Sequence, residues 1–226
     1  MPDLTRFKDR HAQGRCVIVC NGPSLNRMDL SLLRHEIVIG LNKIYLGLDR
    51  FGFYPKYLVA VNEKVITQSV AEFAKMNCIK FIGERGAYAI PEGSLTYHLA
   101  TKKPPHRFCK DISVGLREGG TVTYAALQIA YYMGFSEVII VGMDHSFQYS
   151  GAPHETRKME GPDPNHFSPS YFGGQLWDNP DLERSEESYR IARKVFEADG
   201  RRIIDATLNG ACDIFEKTPY SDVFCR

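Results

Sequence analysis

Short apolar runs recur along the chain, and polar or glycine-containing segments separate them. The runs are rich in β-branched residues, and most of their few charged residues lie at the ends, which is typical of strands buried on both faces. They are CVIVC (16–20), IVIGLN (37–42), YLVAVN (57–62), CIKFIG (78–83), EVIIVGMD (137–144) and RRIIDAT (201–207). Six such strands predict a sheet at the centre of the protein.

Segments with helical spacing of apolar residues lie between several of these runs. The pattern predicts helices over residues 65–76, 119–134 and 182–200, and the last two end at glycines. Residues 84–118 carry only short apolar pieces interrupted by prolines, and for them we predict an edge hairpin or an irregular region. We expect the tail after residue 207 to be irregular.

Alternating strands and helices predict an α/β fold with a doubly wound, mostly parallel, Rossmann-like sheet. We see no linker, and therefore expect a single nucleotide-binding α/β domain over residues 1–226. Residues 145–180 form a long segment rich in proline, glycine, histidine and aromatic residues. Loops of this length often act as lids over active sites, so we call residues 145–180 the lid segment and predict that it covers a ligand.

The amino-acid composition limits which classes of binding partner and which cell compartment we expect. Lys and Arg number 28 against 27 for Asp and Glu, giving a net charge of +1, so nucleic acid is not an expected partner. No apolar run approaches the ~18 residues of a membrane span, and the polar N-terminus has no signal-peptide pattern. With six cysteines and no C-x-x-C pair, we predict reduced thiols in a cytoplasmic protein, with peripheral membrane association left open.

The turn after the first strand is the strongest local signal. Asn21, Gly22, Pro23 and Ser24 follow CVIVC directly. A glycine here lets the backbone approach a ligand, and N–H groups at a helix start favour an anion such as phosphate. The standard nucleotide motifs G-x-x-x-x-G-K-[ST] and G-x-G-x-x-G are absent, so the turn is either a ligand contact or purely structural.

Other polar residues lie where strands end or a helix begins. Asn42 and Asn62 end two strands, Asp144 ends a third, and Gly120 and Thr121 begin the helix at 119–134. Carboxyl ends of parallel strands meet at one edge of a sheet, so these residues can share a ligand. Amide side chains would suit a nucleobase or ribose. The alternative is that each residue simply caps its own turn or helix.

The lid segment carries His145, His154 and His166, and histidine is the usual general base. His166 lies among aromatic residues and glycines that could fold over a substrate. Arg157 and Lys158 could neutralise a phosphate or carboxylate. The spacing of the histidines matches no standard zinc pattern, and each could instead be a structural or surface residue.

Three motifs carry a family resemblance: VCNGPSL, GGTVTYAALQIAYYMGFSEVIIVGMD and NHFSPSYFGG. Together they resemble a bacterial and archaeal family that includes enzymes similar to 6-hydroxymethylpterin diphosphokinase. The core of the motility-associated flagellin glycosylation factors is similar. The first and middle motifs also resemble the bacterial CMP-sialic acid-dependent sialyltransferases. The resemblance covers roughly residues 15–207.

The resemblance to the sialyltransferases implies roles for individual residues. Asn21 and Gly22 would contact the phosphate region of the nucleotide, and Asn42 and Asn62 would hold the nucleotide and donor sugar. His166 would take the proton from the acceptor hydroxyl.

The segment at Gly120 and Thr121, together with Asp144, would lie near the nucleoside. A pair of tyrosines expected after the Asp144 strand is not at matching places, and Tyr149 is the only nearby candidate. No metal or other cofactor is implied.

These observations leave three hypotheses. The first is a glycosyltransferase that uses a nucleotide-activated sugar, such as a CMP-linked sialic acid-like donor, with a glycan or glycoprotein as acceptor in surface glycan synthesis. The second is an Mg²⁺-dependent 6-hydroxymethylpterin diphosphokinase-like enzyme that transfers diphosphate from ATP, with Asp144 as a metal ligand. The third is a non-catalytic nucleotide-binding module.

Overall fold

The computed structural model describes residues 3–102 and 107–225. Pro104 and Pro105, which contributed to the expectation of an irregular segment, lie outside the described residues. All six cysteines are free thiols. Within the described ranges, no helix combines the length and apolarity needed to cross a membrane.

Ten strands within the described ranges form a large sheet and a small one. They are β1 (Arg15–Val19), β2 (Val38–Leu41), β3 (Tyr57–Ala60), β4 (Ile79–Gly83), β5 (Thr96–Leu99), β6 (Glu137–Val141), β7 (Thr156–Lys158), β8 (Leu176–Asp178), β9 (Arg202–Asp205) and β10 (Glu216–Lys217). Eight of them form a fully parallel sheet in the order β10-β9-β6-β1-β2-β3-β4-β5. The remaining two, β7 and β8, pair antiparallel inside the lid segment.

Helices cover both faces of the large sheet. They are α1 (Leu48–Phe51), α2 (Glu63–Gln68), α3 (Val70–Lys75), α4 (Val122–Tyr132), α5 (Leu182–Ala198) and α6 (Tyr220–Phe224). Side chains alternate along the central strand β1, so Cys16 and Ile18 pack with α4 and α5 on one face. Val17 and Val19 pack on the other face with α2, α3 and the lid segment. The predicted doubly wound α/β fold is confirmed.

Three local predictions were wrong. The helix expected at 65–76 is divided at the buried Ser69 into α2 and α3. In the described part of residues 84–118 the expected edge hairpin was wrong, because β5 pairs parallel with β4 in the register Lys80 to Thr96. The alternative, an irregular region, fits most of the other described residues there. The tail also contributes β10, which extends the opposite edge of the sheet, and α6.

The lid segment is better ordered than its sequence indicates. The strands β7 and β8 are exposed at most positions, but aromatic side chains in β8 and in the connection between the two strands anchor the segment. Phe167, Tyr171, Phe172 and Trp177 are all buried in the core on the α2 face of the sheet. The segment is therefore packed against the body of the protein, not suspended over it.

Candidate functional site

A cavity of about 570 Å³ lies at the carboxyl ends of the strands. From β1 the chain runs outward through β2, β3, β4 and β5, then crosses back to β6 on the other side of β1. Ligands of open α/β sheets bind at such a change of direction. The strand-end residues brought together in the cavity wall are Asn21, Gly22, Asn42, Asn62 and Asp144.

Asp144 fixes the turn that follows β1. Its Oδ1 accepts a hydrogen bond from the Ser24 backbone N–H at 2.9 Å, and its Oδ2 accepts one from the Ser24 hydroxyl at 2.6 Å. A Cβ on residue 22 would lie only 1.9 Å from Oδ2, which explains the glycine there. Pro23 begins a short 3₁₀ helix, Pro23–Arg27. Pro23 and Ser24 thus support the turn from outside the cavity lining.

Several amide oxygens in the cavity wall lack a partner within the described part of the chain. The Asn21 Nδ2 donates to Leu41 O at 3.0 Å, which leaves the buried Asn21 Oδ1 unpaired. The buried Asn42 Oδ1 is unpaired as well. An unpaired buried acceptor costs about 1–3 kcal/mol, so this wall favours a ligand that brings hydroxyl or amino donors.

Asn179 repeats this arrangement from the lid side. Its Nδ2 donates to Ser150 O at 2.7 Å and Ala152 O at 3.0 Å, so the amide orientation is fixed. Its Oδ1 is buried and has no partner among the described residues. Sequence reasoning missed Asn179, because nothing in the pattern around it distinguishes it from a loop residue.

Asn62 and Lys64 connect the body to the lid. The Asn62 Oδ1 accepts the Val65 N–H at 3.2 Å and so caps α2, while Nδ2 donates to Asp178 at 3.4 Å. Lys64 Nζ lies 2.8 Å from an Asp178 oxygen. Burial alone would raise the pKa of Asp178, but the hydrogen bonds from Lys64 and Thr156 outweigh burial and leave that pKa below its usual value.

A second ion pair forms part of the same wall. Arg85 follows β4 directly and its guanidinium contacts the Glu118 carboxylate. Burial raises the pKa of Glu118 despite the neighbouring Arg85. Arg85 and Lys64 both line the cavity, so two cations lie near the ends of β4 and β3. The sequence analysis did not identify either of them.

The start of α4 closes another side of the cavity. Gly119 and Gly120 have φ values of +59° and +80°, which only glycine adopts without strain. Thr121 is the N-cap, and its hydroxyl accepts the Thr123 N–H at 3.3 Å. The Tyr189 hydroxyl lies 3.3 Å from the Thr121 hydroxyl. Gly120 and Thr121 therefore both line the cavity in a rigid turn.

His166 lines the cavity and is held by a carboxylate. Its Nδ1 lies 2.8 Å from Oδ2 of Asp163, whose side chain is completely buried. Asp163 also accepts the Asn165 N–H at 2.8 Å and the Phe172 N–H at 3.2 Å. Because a carboxylate only accepts, Nδ1 carries the proton, and Nε2 has no partner within the described ranges. This is the arrangement in which an acid orients a histidine base.

The other two lid histidines are engaged differently. His145 Nε2 lies 3.1 Å from Glu186, and His154 Nε2 lies 3.1 Å from Asp181, so both rings line the cavity but bind the start of α5. Tyr149 is partly exposed and lies outside the cavity lining.

The remaining candidates from the sequence are two basic residues of the lid segment and a metal site. Arg157 and Lys158 are exposed on β7 and do not line the cavity. The described residues contain no group of three or more His, Cys, Asp or Glu side chains arranged to hold a metal ion.

The fold and this crevice define a Rossmann-like α/β protein with a polar ligand cavity at the carboxyl ends of its strands. The family model described as 6-hydroxymethylpterin diphosphokinase MptE-like matches residues 1–150. The chain belongs to this family.

Two similar proteins carry names of transferases. A probable 3-deoxy-manno-octulosonic acid transferase of Salmonella typhimurium is 25% identical over 185 residues, covering 63% of this chain and 68% of the relative. The solved structure of the MAf glycosyltransferase from Magnetospirillum magneticum AMB-1 superposes with a TM-score of 0.59 at 14% identity. The match covers 98% of this chain but only 38% of that one, and it shows a shared fold.

Proposed function

We propose that the protein is a glycosyltransferase that uses a nucleotide-activated sugar in glycan synthesis. The observation that carries this proposal is the Asp163–His166 pair, at 2.8 Å, in the wall of the strand-end cavity. The names of the two similar proteins support the same class.

In the proposed reaction His166 acts as the general base. Nε2 takes the proton of an acceptor hydroxyl as the hydroxyl oxygen attacks the anomeric carbon of the donor sugar. The bond from that carbon to the phosphate oxygen breaks, and its electron pair leaves with the nucleotide. Asp163 holds Nδ1–H and stabilises the imidazolium that forms. Asn21 and Gly22 line the cavity and would lie beside the phosphate.

For the donor we propose a CMP-linked sialic acid-like sugar. An octulosonic acid, which the Salmonella relative's name contains, and a sialic acid are both keto sugar acids with a carboxylate. Lys64 and Arg85 line the cavity. Each is paired with a carboxylate, of Asp178 and Glu118, but each keeps a further N–H donor for a carboxylate or phosphate of the donor. The unpaired amide oxygens of Asn21, Asn42 and Asn179 suit the hydroxyl and amino groups of a nucleoside. The acceptor would be a glycan or glycoprotein.

A thermal-melting screen with CMP, CDP, UDP and ATP, each with and without Mg²⁺, tests this proposal. A ligand at 100 times its Kd stabilises the folded state by ~2.7 kcal/mol, which a melt detects. We expect CMP to raise Tm without Mg²⁺ and CMP-N-acetylneuraminate to be turned over when an acceptor sugar is present. A CMP response without turnover of any donor would instead support a non-catalytic module.

The description of the matching family favours a second candidate, an Mg²⁺-dependent diphosphokinase. Magnesium is usually bound by one or two carboxylates together with substrate phosphates. Asp144 would be the ligand; each of its oxygens accepts one hydrogen bond from Ser24 and keeps a further lone pair. Bound Mg²⁺ would neutralise phosphate charge. An ATP response in the melting screen that requires Mg²⁺, with no response to CMP, would establish this candidate over the first.

A further inference from the structure

A lysine ammonium is buried beneath the lid segment. Lys43 follows β2 and Asn42, and only 1% of the residue is exposed. Its Nζ donates to three oxygens: Gln68 Oε1 at 2.9 Å, Tyr171 O at 2.8 Å and Gln175 Oε1 at 2.7 Å. Two of these acceptors belong to the lid segment and one to α2, so the ammonium joins the two parts.

Burying the charged ammonium of Lys43 costs free energy, because it removes the charge from water. All three hydrogen-bond acceptors are neutral, so no carboxylate among them balances the charge. The Phe172 ring, whose centre lies 4.6 Å from Nζ, offsets part of this cost by a cation–π contact. Burial lowers the pKa of Lys43 to about 8, with Asp163 opposing the change. Well-packed apolar side chains often stabilise such a position as well or better. The lysine therefore calls for an explanation other than stability alone.

The residues that Lys43 holds are those that surround His166. The His166 ring stacks on Tyr171 with centroids 3.9 Å apart, and the Lys43 backbone N–H donates to the Tyr171 hydroxyl at 3.4 Å. The Phe172 N–H donates to Asp163, which in turn binds Nδ1 of His166. Both supports of the imidazole are thus adjacent to the carbonyl that Lys43 binds.

We propose that Lys43 is a positioning residue that, by holding the Tyr171–Phe172 backbone, keeps His166 in one orientation with Nδ1 protonated and Nε2 free. The catalytic consequence rests on the proposed role of His166 as the base. The structural consequence, a single imidazole tautomer, does not depend on which substrate the protein uses.

The test compares Lys43→Met with Lys80→Met. Lys80 is a matched control, because it is also buried and donates to two backbone carbonyls, those of Met76 and Cys78, but neither acceptor belongs to the lid segment. In ¹⁵N spectra of histidine-labelled protein, with His166 assigned from a His166→Gln variant, we expect Lys43→Met to replace the single Nδ1–H tautomer by a mixture. Lys80→Met should retain the wild-type shifts.

Turnover of CMP-N-acetylneuraminate gives the second readout. We expect kcat of Lys43→Met to fall about tenfold or more while KM for the donor stays within about twofold, since the donor contacts are unchanged. Should Lys43→Met not fold, Lys43→Gln keeps a polar side chain at this position. It removes the ammonium and is one atom too short to bind Tyr171 O in the same way, so we expect the same change in the ¹⁵N spectrum.

Wild-type ¹⁵N shifts for His166 in Lys43→Met, or in Lys43→Gln if that variant must replace it, would overturn this inference. A wild-type protein that neither binds CMP nor turns over the donor would overturn the proposed function instead. The tautomer comparison would still decide the role of Lys43 in that case.

Discussion

The imidazole of His166 lies face to face with the phenol ring of Tyr171, with centroids 3.9 Å apart and planes 2° from parallel. One face of the imidazole is therefore covered, and its Nδ1 is bound by Asp163. Burial raises the pKa of Tyr171, so its hydroxyl stays protonated. Among these three side chains, the free Nε2 of His166 is the group best suited to take a proton from a substrate.

Replacing His166 should lower the rate of the chemical step and leave binding of the donor intact. We expect His166→Gln to reduce kcat by about 10²- to 10⁴-fold, the usual contribution of a general base, with KM for the donor nearly unchanged. Steady-state kinetics with a confirmed donor would measure this. Asp163→Asn should also reduce kcat, because an amide can stabilise the wrong tautomer. A His166→Gln enzyme within a few-fold of wild type would refute the base assignment.

Asn21 should contribute to nucleotide affinity through its unpaired Oδ1. We expect Asn21→Ala to weaken CMP binding about tenfold, which corresponds to the loss of about one good hydrogen bond. Isothermal titration with CMP would measure the change, with Asn77→Ala as control because Asn77 is exposed and lies outside the cavity lining. Equal CMP affinity in the two variants would exclude Asn21 as a nucleotide contact.

A methyl group at residue 22 should disrupt the turn after β1. Its carbon would lie 1.9 Å from the Asp144 Oδ2 and 2.7 Å from Gly142 O, and one of these groups would have to move. We expect Gly22→Ala to cost about 2–3 kcal/mol, or a fall in Tm of about 4–12 °C. Calorimetry beside Gly93→Ala tests this, because a Cβ at residue 93 meets nothing within 4 Å. Similar Tm values for both variants would contradict the close packing at residue 22.

His11 should make folding sensitive to acid. Burial, together with Lys56 and Arg10, lowers the pKa of His11 to about 4, and its Nε2 lies 2.8 Å from the Tyr57 hydroxyl. In the unfolded chain His11 is therefore protonated below about pH 6.5, whereas in the folded chain it is protonated only below about pH 4. The stability from neutral His11 is complete above pH 6.5 and is lost as the pH falls towards 4.

Urea unfolding at pH 7.5 and pH 4.5 measures this effect. Between these two pH values we expect wild type to lose more stability than His11→Gln, by on the order of 1–2 kcal/mol. The difference is limited to this size because His11 is only partly buried and solvent screens part of the effect. His35→Gln is the control, since His35 is exposed. An equal loss in wild type and His11→Gln would show that His11 titrates normally in the folded protein.

The sheet could be predicted to the extent that its strands are buried on both faces. Continuous apolar runs revealed β1 to β4, β6 and β9. The edge strand β5 has the sequence TYHL, which includes polar side chains, and β10 has only two residues. Neither strand therefore shows a continuous apolar run in the sequence. The break between α2 and α3 at Ser69 depends on tertiary contacts, among them the Tyr45 hydroxyl at 3.1 Å.

The site residues likewise divide into those that the sequence pattern predicts and those that depend on tertiary contacts. The strand-end residues Asn21, Asn42, Asn62 and Asp144 do line one cavity, because the parallel topology brings carboxyl ends together. The role of Lys43 could not be predicted, since its three acceptors lie 25, 128 and 132 residues away along the chain. Asp163 lies only three residues before His166, and this spacing could have indicated the pair. In the sequence alone, Lys43 resembles any surface lysine.

The contact between Ser24 and Asp144 spans 120 residues of chain. At the usual rates of synthesis, about 5–20 residues per second, the turn after β1 waits roughly 6–24 s for its partner to be made. β1 can pair with β2 long before that, but its other edge stays open until β6 arrives. The crevice therefore cannot be assembled before β6 has been made, and a ligand that requires the complete crevice cannot assist the folding of the first five strands.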